Sequence, residues 1–351
     1  MSCFWNERTA SLKPYVPGEQ PKESMIKLNT NENPFPPSDK VLRAMRKAVC
    51  GDLRLYPDPE ATELREAFAK YQKVEPGNVF VGNGSDEVLS FAFDAFFRPE
   101  KPVLFPDVTY SFYPVYCDHL GLRYETVPLK EDFTVDVADY QRENGGIVIA
   151  NPNAPTGIAL SRREIETILK ANPDTVVVID EAYVKFGAES CVPLIKKYPN
   201  LLVVQTMSKS HSLAGLRVGF AIGNEELIEG LNRVKNSFNS YPVDRIAQVG
   251  AIASLQNKRT VDANINNVRS TREGVAVALR GIGFDVLPSS ANFLMIKYWN
   301  CTAKDLFEHL RSKDILVRHF EQPRIENYLR VTIGTRDDMR TFLDVVEDFI
   351  C

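Results

Sequence analysis

From about residue 78 onward, short apolar runs alternate with segments in which apolar residues recur at helical spacing. The short runs are nearly continuous and rich in β-branched residues, which is typical of strands buried on both faces of a mainly parallel sheet. They are residues 79–81, 103–105, 147–149, 176–179, 201–204 and 218–222. Because these predicted strands alternate with predicted helices, the pattern indicates an α/β fold with a large domain and a mostly parallel central sheet.

The pattern changes after about residue 245. A long helix-like stretch runs to Arg280, three strand candidates follow, and a final helix with an apolar face begins after Thr335. The strand candidates are residues 284–287, 292–296 and 329–333. We therefore predict an N-terminal arm (residues 1–30), a large domain (31–244) and a smaller C-terminal α/β domain (245–351).

Composition and charge narrow the possible partners. Of the 351 residues, 44% are hydrophobic and 25% are charged, which is ordinary for a soluble globular protein. The net charge of −4 argues against a nucleic-acid partner. No apolar run reaches the roughly 20 residues that a membrane helix needs. The N-terminal segment lacks the apolar core of a signal peptide, so we expect a cytoplasmic protein.

Cysteine and histidine usage points in the same direction. The six cysteines are scattered without a Cys-x-x-Cys pair, which favours reduced thiols over a disulfide framework. The four histidines form no metal-ligand pattern, so a zinc site is not expected. These features are typical of a cytosolic enzyme without a metal.

The strongest candidate for chemistry is the stretch 206–220, which contains Lys209 and Arg217 among small and hydroxylated residues. Burial at a strand end lowers the pKa of a lysine, and a neutral amine can condense with a carbonyl to form a Schiff base. If that carbonyl belongs to pyridoxal phosphate, the nearby hydroxyls and guanidinium could hold the phosphate. For this stretch alone, a polar turn with a surface lysine is an equally weighted alternative.

Other candidates follow predicted strands, on the side where open α/β sheets bind ligands. Asp180 could pair with a protonated pyridine nitrogen, and Tyr183 could donate to the phenolic oxygen of the ring. The Gly84-Ser85-Asp86 turn could cradle a phosphate at a helix N-terminus, and Tyr110 could stack on the ring. Arg330 needs an anionic partner within its predicted strand. Taken singly, each of these residues has a structural alternative, such as a helix cap, an internal salt bridge or core packing.

Together and in this order, the residues resemble the fold-type I pyridoxal-phosphate-dependent aminotransferases over nearly the whole chain. Within that group the chain is similar to the histidinol-phosphate aminotransferases. The matching motifs are Lys-Pro-Tyr-Val-Pro-Gly-Glu-Gln (13–20), Lys-Leu-Asn-Thr-Asn-Glu-Asn-Pro (27–34), Tyr-Pro-Asp-Pro (56–59), Gly-Ser-Asp-Glu (84–87), Asn-Ala-Pro-Thr-Gly (153–157), Asp-Glu-Ala-Tyr (180–183), Ser-Lys (208–209), Leu-Arg-Val-Gly-Phe (216–220) and Leu-Arg-Val-Thr-Ile-Gly-Thr (329–335). The resemblance implies a fold-type I architecture that binds pyridoxal 5'-phosphate.

The resemblance also implies a role for each matching residue. It makes Lys209 the Schiff-base lysine and general acid/base, Asp180 the partner of the pyridinium nitrogen and Tyr183 the donor to the phenolic oxygen. It makes Tyr110 the stacking ring. Around the cofactor phosphate it places Ser85, Asp86, Ser208 and Arg217. It also implies a homodimer with shared active sites, in which Tyr56 of the neighbouring subunit reaches the same phosphate. For the phosphate end of the substrate it implies Tyr15, Arg318 and Arg330, with Asn33 nearby.

One position departs from the family pattern. Most relatives carry asparagine immediately before Pro-Thr-Gly, where it contacts the phenolic oxygen of the cofactor, whereas this chain has Ala154. Because a methyl group cannot donate a hydrogen bond, Tyr183 would act alone, or Asn153 or Asn151 would reach the cofactor from a shifted backbone. We take Asn153 as the candidate.

The function that the resemblance implies is reversible transamination in histidine biosynthesis. L-Histidinol phosphate and 2-oxoglutarate would give imidazole-acetol phosphate and L-glutamate by a ping-pong cycle through Lys209. An aromatic amino-acid aminotransferase is an alternative, because the same arginines could grip a carboxylate. A threonine-phosphate decarboxylase shares the scaffold and the lysine. A pyridoxal-binding transcriptional regulator would need a DNA-binding module, for which this chain gives no sign.

Overall fold

The structure is a computed structural model that describes residues 3–21 and 24–350 of the chain. Residues 1, 2, 22 and 23 of the predicted arm and residue 351 lie outside the described residues. The helices are α1 (Glu7–Ser11), α2 (Asp39–Ala48), α3 (Thr62–Gln72), α4 (Gly84–Phe96), α5 (Tyr113–Leu120), α6 (Arg162–Ala171), α7 (Glu225–Phe238), α8 (Arg245–Leu255), α9 (Lys258–Gly281), α10 (Ala303–Ser312) and α11 (Arg336–Ile350). The strands are β1 (Ile26–Lys27), β2 (Val79–Asn83), β3 (Val103–Pro106), β4 (Tyr124–Val127), β5 (Gly146–Ala150), β6 (Val177–Asp180), β7 (Leu201–Thr206), β8 (Val218–Gly223), β9 (Asp285–Val286), β10 (Phe293–Lys297), β11 (Ile315–Leu316), β12 (Arg318–His319) and β13 (Leu329–Thr332).

A seven-stranded sheet with the order β2-β8-β7-β6-β5-β3-β4 forms the centre of the molecule. Its strands run parallel except β8, which is antiparallel to both β7 and β2. Helices α4, α5 and α7 cover one face, and α3, α6 and α8 cover the other, each with a continuous apolar core. The predicted fold class, an α/β fold with a mostly parallel central sheet, is confirmed.

The direction of β8 matters for the site. Because β8 runs opposite to its neighbours, its first residue lies at the edge where the other strands end: Val218 is paired with Asn83, the last residue of β2. Arg217, immediately before β8, therefore lies at the same edge as Asp180 at the end of β6 and Lys209 just after β7. Residues that are distant in the sequence converge at one edge for this reason.

The C-terminal part contains an antiparallel sheet with the order β12-β13-β10-β9, packed with α9, α10 and α11. The segment before α2 joins this part, because β1 pairs with β11. Helix α8, just after the predicted domain boundary at residue 245, packs against α2 and α3. The division into an arm and two domains stays a prediction.

Two helix starts are defined by their capping side chains, and one predicted element is wrong. Ser161 and Glu164 form a capping box at the start of α6. At the predicted start of the final helix, Thr335 accepts a hydrogen bond from the Asp338 N–H. The long helix-like stretch to Arg280 is two helices, because the chain breaks after α8 at Asn257, whose side chain bonds Ser38. Within the described residues, no helix combines the length and apolar character that spanning a membrane requires.

Candidate active site

A cavity of about 380 Å³ lies at the edge of the large sheet where its parallel strands end. Its walls come from these strand ends, from the segment before α2 and from the C-terminal sheet. The structure brings together around it most of the predicted site residues, namely Tyr15, Ser85, Asp86, Tyr110, Asp180, Tyr183, Ser208, Lys209, Arg217, Arg318 and Arg330.

Lys209 enters the cavity from the turn after β7. Its Nζ donates a hydrogen bond of 2.9 Å to the carbonyl oxygen of Thr30. Burial lowers the pKa of Lys209 to about 8, because desolvation disfavours the charged amine, while Glu32 opposes and Arg330 reinforces the shift. A lysine with this pKa has a substantial neutral fraction near physiological pH, which both a nucleophile and a proton carrier require.

Asp180 is a buried carboxylate without a cationic partner among the described residues. Its Oδ2 accepts a hydrogen bond of 3.1 Å from the Tyr113 hydroxyl, and its Oδ1 accepts one of 3.1 Å from the Ala182 N–H. Burial nevertheless raises the pKa of Asp180 to about 6, because desolvation outweighs these two bonds. No lysine, arginine or histidine of the described residues forms an ion pair with it. A protonated nitrogen placed against Asp180 would supply the missing charge.

The start of α4 forms an anion cradle. Gly84 has a φ of +79°, and a Cβ at this position would lie 2.5 Å from Nη2 of Arg217, so only glycine lets the guanidinium approach the helix N-terminus. Arg217 Nη2 donates to Asp86 Oδ2 at 2.9 Å, and the Tyr110 hydroxyl donates to Asp86 Oδ1 at 2.9 Å. Hydroxyl and N–H donors, a guanidinium and a helix N-terminus are the groups that bind phosphate.

Two arginines face the cavity from the C-terminal sheet. Arg318 and Arg330 are paired across β12 and β13, and both guanidinium groups lie over the ring of Phe320, at 5.7 and 5.5 Å. Arg330 Nη2 donates to the Asn29 carbonyl at 2.8 Å, while its buried Nε has no partner among the described residues. Two adjacent cations, one with a free donor, are suited to an anionic group of a ligand.

Three predicted residues do not line the cavity. Asn33 donates to the Lys209 carbonyl oxygen at 3.0 Å and so supports the turn from outside. The side chain of Asn153 forms hydrogen bonds with Thr109, Val108 and Thr156. Tyr56 lies on the surface, 78% exposed, with its ring stacked on Tyr241. These three bonds engage both polar atoms of the Asn153 side chain, which argues against the expected contact with the cofactor.

The cavity is also lined by residues that were not predicted from the sequence. Thr30, Asn31 and Glu32 line the cavity, and the Asn31 Nδ2 donates to the Tyr183 hydroxyl at 2.9 Å. The dense polar run at 29–33 was a usable signal, because a buried loop needs partners for such side chains. Phe320 gave no signal, since a single aromatic residue after β12 has no distinctive pattern.

Comparison with known proteins agrees with this geometry. Residues 23–346 match the aminotransferase class I and II family. The chain belongs to this family. It is 57% identical over 339 residues to histidinol-phosphate aminotransferase 1 of Bordetella parapertussis, with 95% of each chain covered. It is 53% identical over 349 residues to the histidinol-phosphate aminotransferase of Pseudomonas syringae pv. syringae, covering 99% of this chain and 100% of the relative.

The fold matches a crystal structure of the histidinol-phosphate aminotransferase from Sinorhizobium meliloti in complex with pyridoxal-5'-phosphate. The TM-score is 0.89 at 23% identity, with 99% of each chain covered. At this identity the match concerns the fold alone. The predicted fold-type I architecture is confirmed.

The donor set of this aminotransferase fits pyridoxal phosphate. Lys209 offers an amine of lowered pKa, and Asp180 is a buried carboxylate without a cation. Arg217 and the start of α4 offer the phosphate cradle. The described residues contain no cluster of histidine, cysteine, aspartate or glutamate that could hold a metal ion.

Proposed function

We propose that this protein is a pyridoxal-phosphate-dependent aminotransferase that converts L-histidinol phosphate and 2-oxoglutarate to imidazole-acetol phosphate and L-glutamate, a step of histidine biosynthesis. The observation that carries the proposal is the convergence of Lys209, Asp180 and the arginine pair on one cavity. Relatives that are 53% and 57% identical over nearly the full chain carry the name histidinol-phosphate aminotransferase.

The residues divide the chemistry among them. Pyridoxal phosphate, when bound, supplies an aldehyde for covalent attachment and a ring that withdraws electrons from the substrate carbon. Lys209 carries the attachment through Nζ and moves a proton at the same atom, for which a pKa of about 8 is well matched. The negative charge of Asp180 would hold a proton on the pyridine nitrogen of the bound cofactor, which would keep the ring electron-withdrawing.

The binding place of the substrate's anionic group follows from the charges that line the cavity. Arg318 and Arg330 supply two cations on the wall formed by the C-terminal sheet, and Tyr15 lines the same cavity. A phosphate monoester presents several oxygens to such a pair, and the free Nε of Arg330 can donate to one of them. A carboxylate of 2-oxoglutarate can occupy the same place in the second half-reaction, so one pair of arginines serves both substrates.

The test is a comparison of amino donors. Purified protein with pyridoxal phosphate and 2-oxoglutarate is offered L-histidinol phosphate, L-phenylalanine or L-threonine phosphate, and both keto product and released CO₂ are measured. The proposal expects glutamate and keto product from L-histidinol phosphate without CO₂, and no product with Lys209→Ala. Preferred turnover of phenylalanine favours the aromatic aminotransferase, CO₂ from threonine phosphate favours the decarboxylase, and an inert L-histidinol phosphate overturns the proposal.

We infer in addition that the protein acts as a homodimer with shared active sites. Tyr56 and Phe238, 78% and 77% exposed, are aromatic side chains on the surface, and Tyr241 stacks on Tyr56 at 4.6 Å. The Tyr56 loop is firmly held, because Lys235 donates to the Pro59 carbonyl at 2.8 Å. A rigid, exposed aromatic group is what a subunit interface uses. In the proposed dimer, Tyr56 reaches the cofactor phosphate of the neighbouring subunit.

Subunit complementation tests the shared sites. Lys209→Ala and Tyr56→Ala homodimers are each expected to have little activity. A mixed dimer forms one intact site out of two, and random co-refolding of equal amounts of the variants makes about half of the dimers mixed. Activity should therefore recover toward about a quarter of the wild-type value in the mixture, and toward half in the purified mixed dimer. Absence of recovery in mixed dimers, verified by differently tagged subunits, would contradict the assignment of Tyr56.

Compartment and domain organisation complete the proposal. The described cysteines, Cys3, Cys50, Cys117, Cys191 and Cys301, are free thiols, which is consistent with the reducing cytoplasm.

We place the cofactor mainly on a large domain of residues 31–244 and the substrate arginines on a smaller C-terminal domain of residues 245–351. Limited proteolysis that cuts first near residue 245 would support this boundary.

A further inference from the structure

The side chain of Asn31 is fixed against the hydroxyl of Tyr183. Asn31 is 1% exposed and has a φ of +59°. The Thr332 hydroxyl accepts a hydrogen bond from the Asn31 N–H at 3.0 Å and donates to Asn31 Oδ1 at 2.9 Å. The remaining polar atom of the side chain, Nδ2, donates to the Tyr183 hydroxyl at 2.9 Å. Asn292 holds the Asn31 carbonyl at 3.0 Å from the other side.

This contact determines where the proton of Tyr183 can point. A tyrosine hydroxyl has one proton to donate and accepts through its oxygen lone pairs. Because the Tyr183 oxygen accepts from Asn31, its own proton remains available for the cavity, which both residues line. Asn31 also opposes the rise in the pKa of Tyr183 that burial causes.

Ala154, which lines the same cavity, provides no second hydrogen-bond donor beside Tyr183. Ala154 packs with Ala291, Phe293 and the Tyr183 ring, and its methyl group offers no proton. Asn153, the neighbouring amide, is turned away and bonded to Thr109 and Val108. The Tyr183 hydroxyl is therefore left to act with the support of Asn31.

We propose that Asn31 is a positioning residue that orients the Tyr183 hydroxyl toward the phenolic oxygen of the cofactor, in place of the family asparagine that Ala154 replaces. This inference rests on the proposed function. One anchor, Thr332, lies in β13 of the C-terminal sheet, and the other, Asn292, immediately precedes β10 of the same sheet, whereas Tyr183 follows β6. The orientation of Tyr183 thus depends on the C-terminal sheet being docked against the large one.

The test is the pH titration of the visible absorbance of the lysine-bound cofactor. The negative charge of the phenolic oxygen stabilises the proton on the adjacent lysine nitrogen, and a hydrogen-bond donor to that oxygen weakens this effect. Losing the donor therefore lets the nitrogen keep its proton to higher pH. Asn31→Gly removes the amide and tolerates the positive φ. We expect it to raise the midpoint by roughly 0.5–1 pH unit, the equivalent of one hydrogen bond. Asn31→Asp, which can only accept from Tyr183, should raise it at least as much.

A second-site variant and two controls complete the design. Ala154→Asn in the Asn31→Gly background restores a direct donor and should return the midpoint toward the wild-type value. Asn300→Asp, on an exposed residue, adds the same charge elsewhere and should leave the midpoint unchanged. The melting temperature of each variant is measured in parallel, because a purely structural role would lower it without moving the midpoint.

The outcomes separate this inference from the proposed function. An unchanged midpoint in both Asn31→Gly and Asn31→Asp, with wild-type protein that binds the cofactor and transaminates, overturns the role of Asn31 alone. Wild-type protein without the visible absorbance band overturns the proposed function itself. A raised midpoint that Ala154→Asn reverses supports the inference.

Discussion

Lys209 Nζ donates to the carbonyl oxygen of Thr30 at 2.9 Å, so the reactive amine is held by the segment that precedes α2 and not by a carboxylate. A neutral acceptor satisfies the ammonium without the strong stabilisation that a direct ion pair would give. Desolvation therefore dominates, and the pKa of Lys209 falls to about 8. The same segment, through Asn31, donates to Tyr183. Segment 30–31 thus contacts two of the side chains on which the proposed chemistry depends.

The first prediction concerns the stability of the cofactor-free protein. The pKa of Lys209 falls from 10.5 to about 8 on folding, so the folded state binds fewer protons than the unfolded state between these values. Stability contributed by this group is present above pH 10.5 and is lost as pH falls through 8. Lys209→Met removes the penalty and should stabilise the cofactor-free protein by about 1–3 kcal/mol at pH 7, with a difference that shrinks toward pH 10.

Urea unfolding of both cofactor-free proteins between pH 7 and 10 checks this. Lys70→Met, in the exposed part of α3, is the control and should show no pH-dependent difference. A difference between Lys209→Met and wild type that stays constant with pH would show that Lys209 has an ordinary pKa.

The second prediction concerns Asp180 and has the opposite sign. Its pKa rises from 3.8 to about 6 on folding, so its contribution to stability is present below pH 4 and lost as pH rises through 6. Asp180→Asn should therefore stabilise the cofactor-free protein by about 1–3 kcal/mol at pH 7 and by roughly a third as much at pH 4.5. The same variant should bind pyridoxal phosphate more weakly, because it cannot balance a protonated ring nitrogen.

Both effects are measurable on one preparation, by urea unfolding without the cofactor and by fluorescence titration with it. Asp174→Asn, on the surface at the other end of the sheet, is the matched control. A destabilised cofactor-free Asp180→Asn at pH 7 would mean that the buried carboxylate is stabilising and would contradict the charge argument.

The third prediction revises the role of Asn153. Its Oδ1 accepts from the Thr109 hydroxyl at 2.8 Å, and its Nδ2 donates to the Val108 carbonyl at 2.9 Å. Asn153→Ala leaves these buried groups without partners and should lower the free energy of unfolding by about 1–3 kcal/mol. The absorbance titration of the bound cofactor should stay at the wild-type midpoint, because the side chain does not line the cavity. A raised midpoint would return Asn153 to the cofactor site.

Local patterns predicted much of this site, and long-range contacts account for what they missed. Lys209 and Asp180 could be predicted because each follows a buried apolar run, and the ends of parallel strands meet at one edge. Arg217 joins them only because β8 is antiparallel, which its sequence does not reveal. Asn31 contacts Thr332 across 301 residues, a pairing that no local pattern encodes. The two-residue strands β1 and β11 were missed because neither has the length of an alternating run.

The fourth prediction concerns Arg324, which ties the C-terminal part to the large sheet beside the cavity. Its Nη1 pairs with Asp107 Oδ2 at 2.6 Å, and its Nη2 donates to the carbonyls of Leu129 and Lys130 at 2.9 and 2.8 Å. Asp107 in turn holds the N–H of Val108 through Oδ1. These contacts position the loop that carries Phe320, whose ring lies close to both substrate arginines.

Arg324→Met should therefore loosen the substrate wall while leaving the cofactor wall in place. We expect the KM for the phosphorylated amino donor to rise about tenfold, equivalent to about 1.4 kcal/mol, with little change in kcat or in the absorbance titration. Arg340→Met, which removes an exposed pair with Asp337, is the matched control and should leave the KM unchanged. A fall in kcat at constant KM would instead place the effect of Arg324 on the chemical step, through Asp107 and the segment that carries Tyr110.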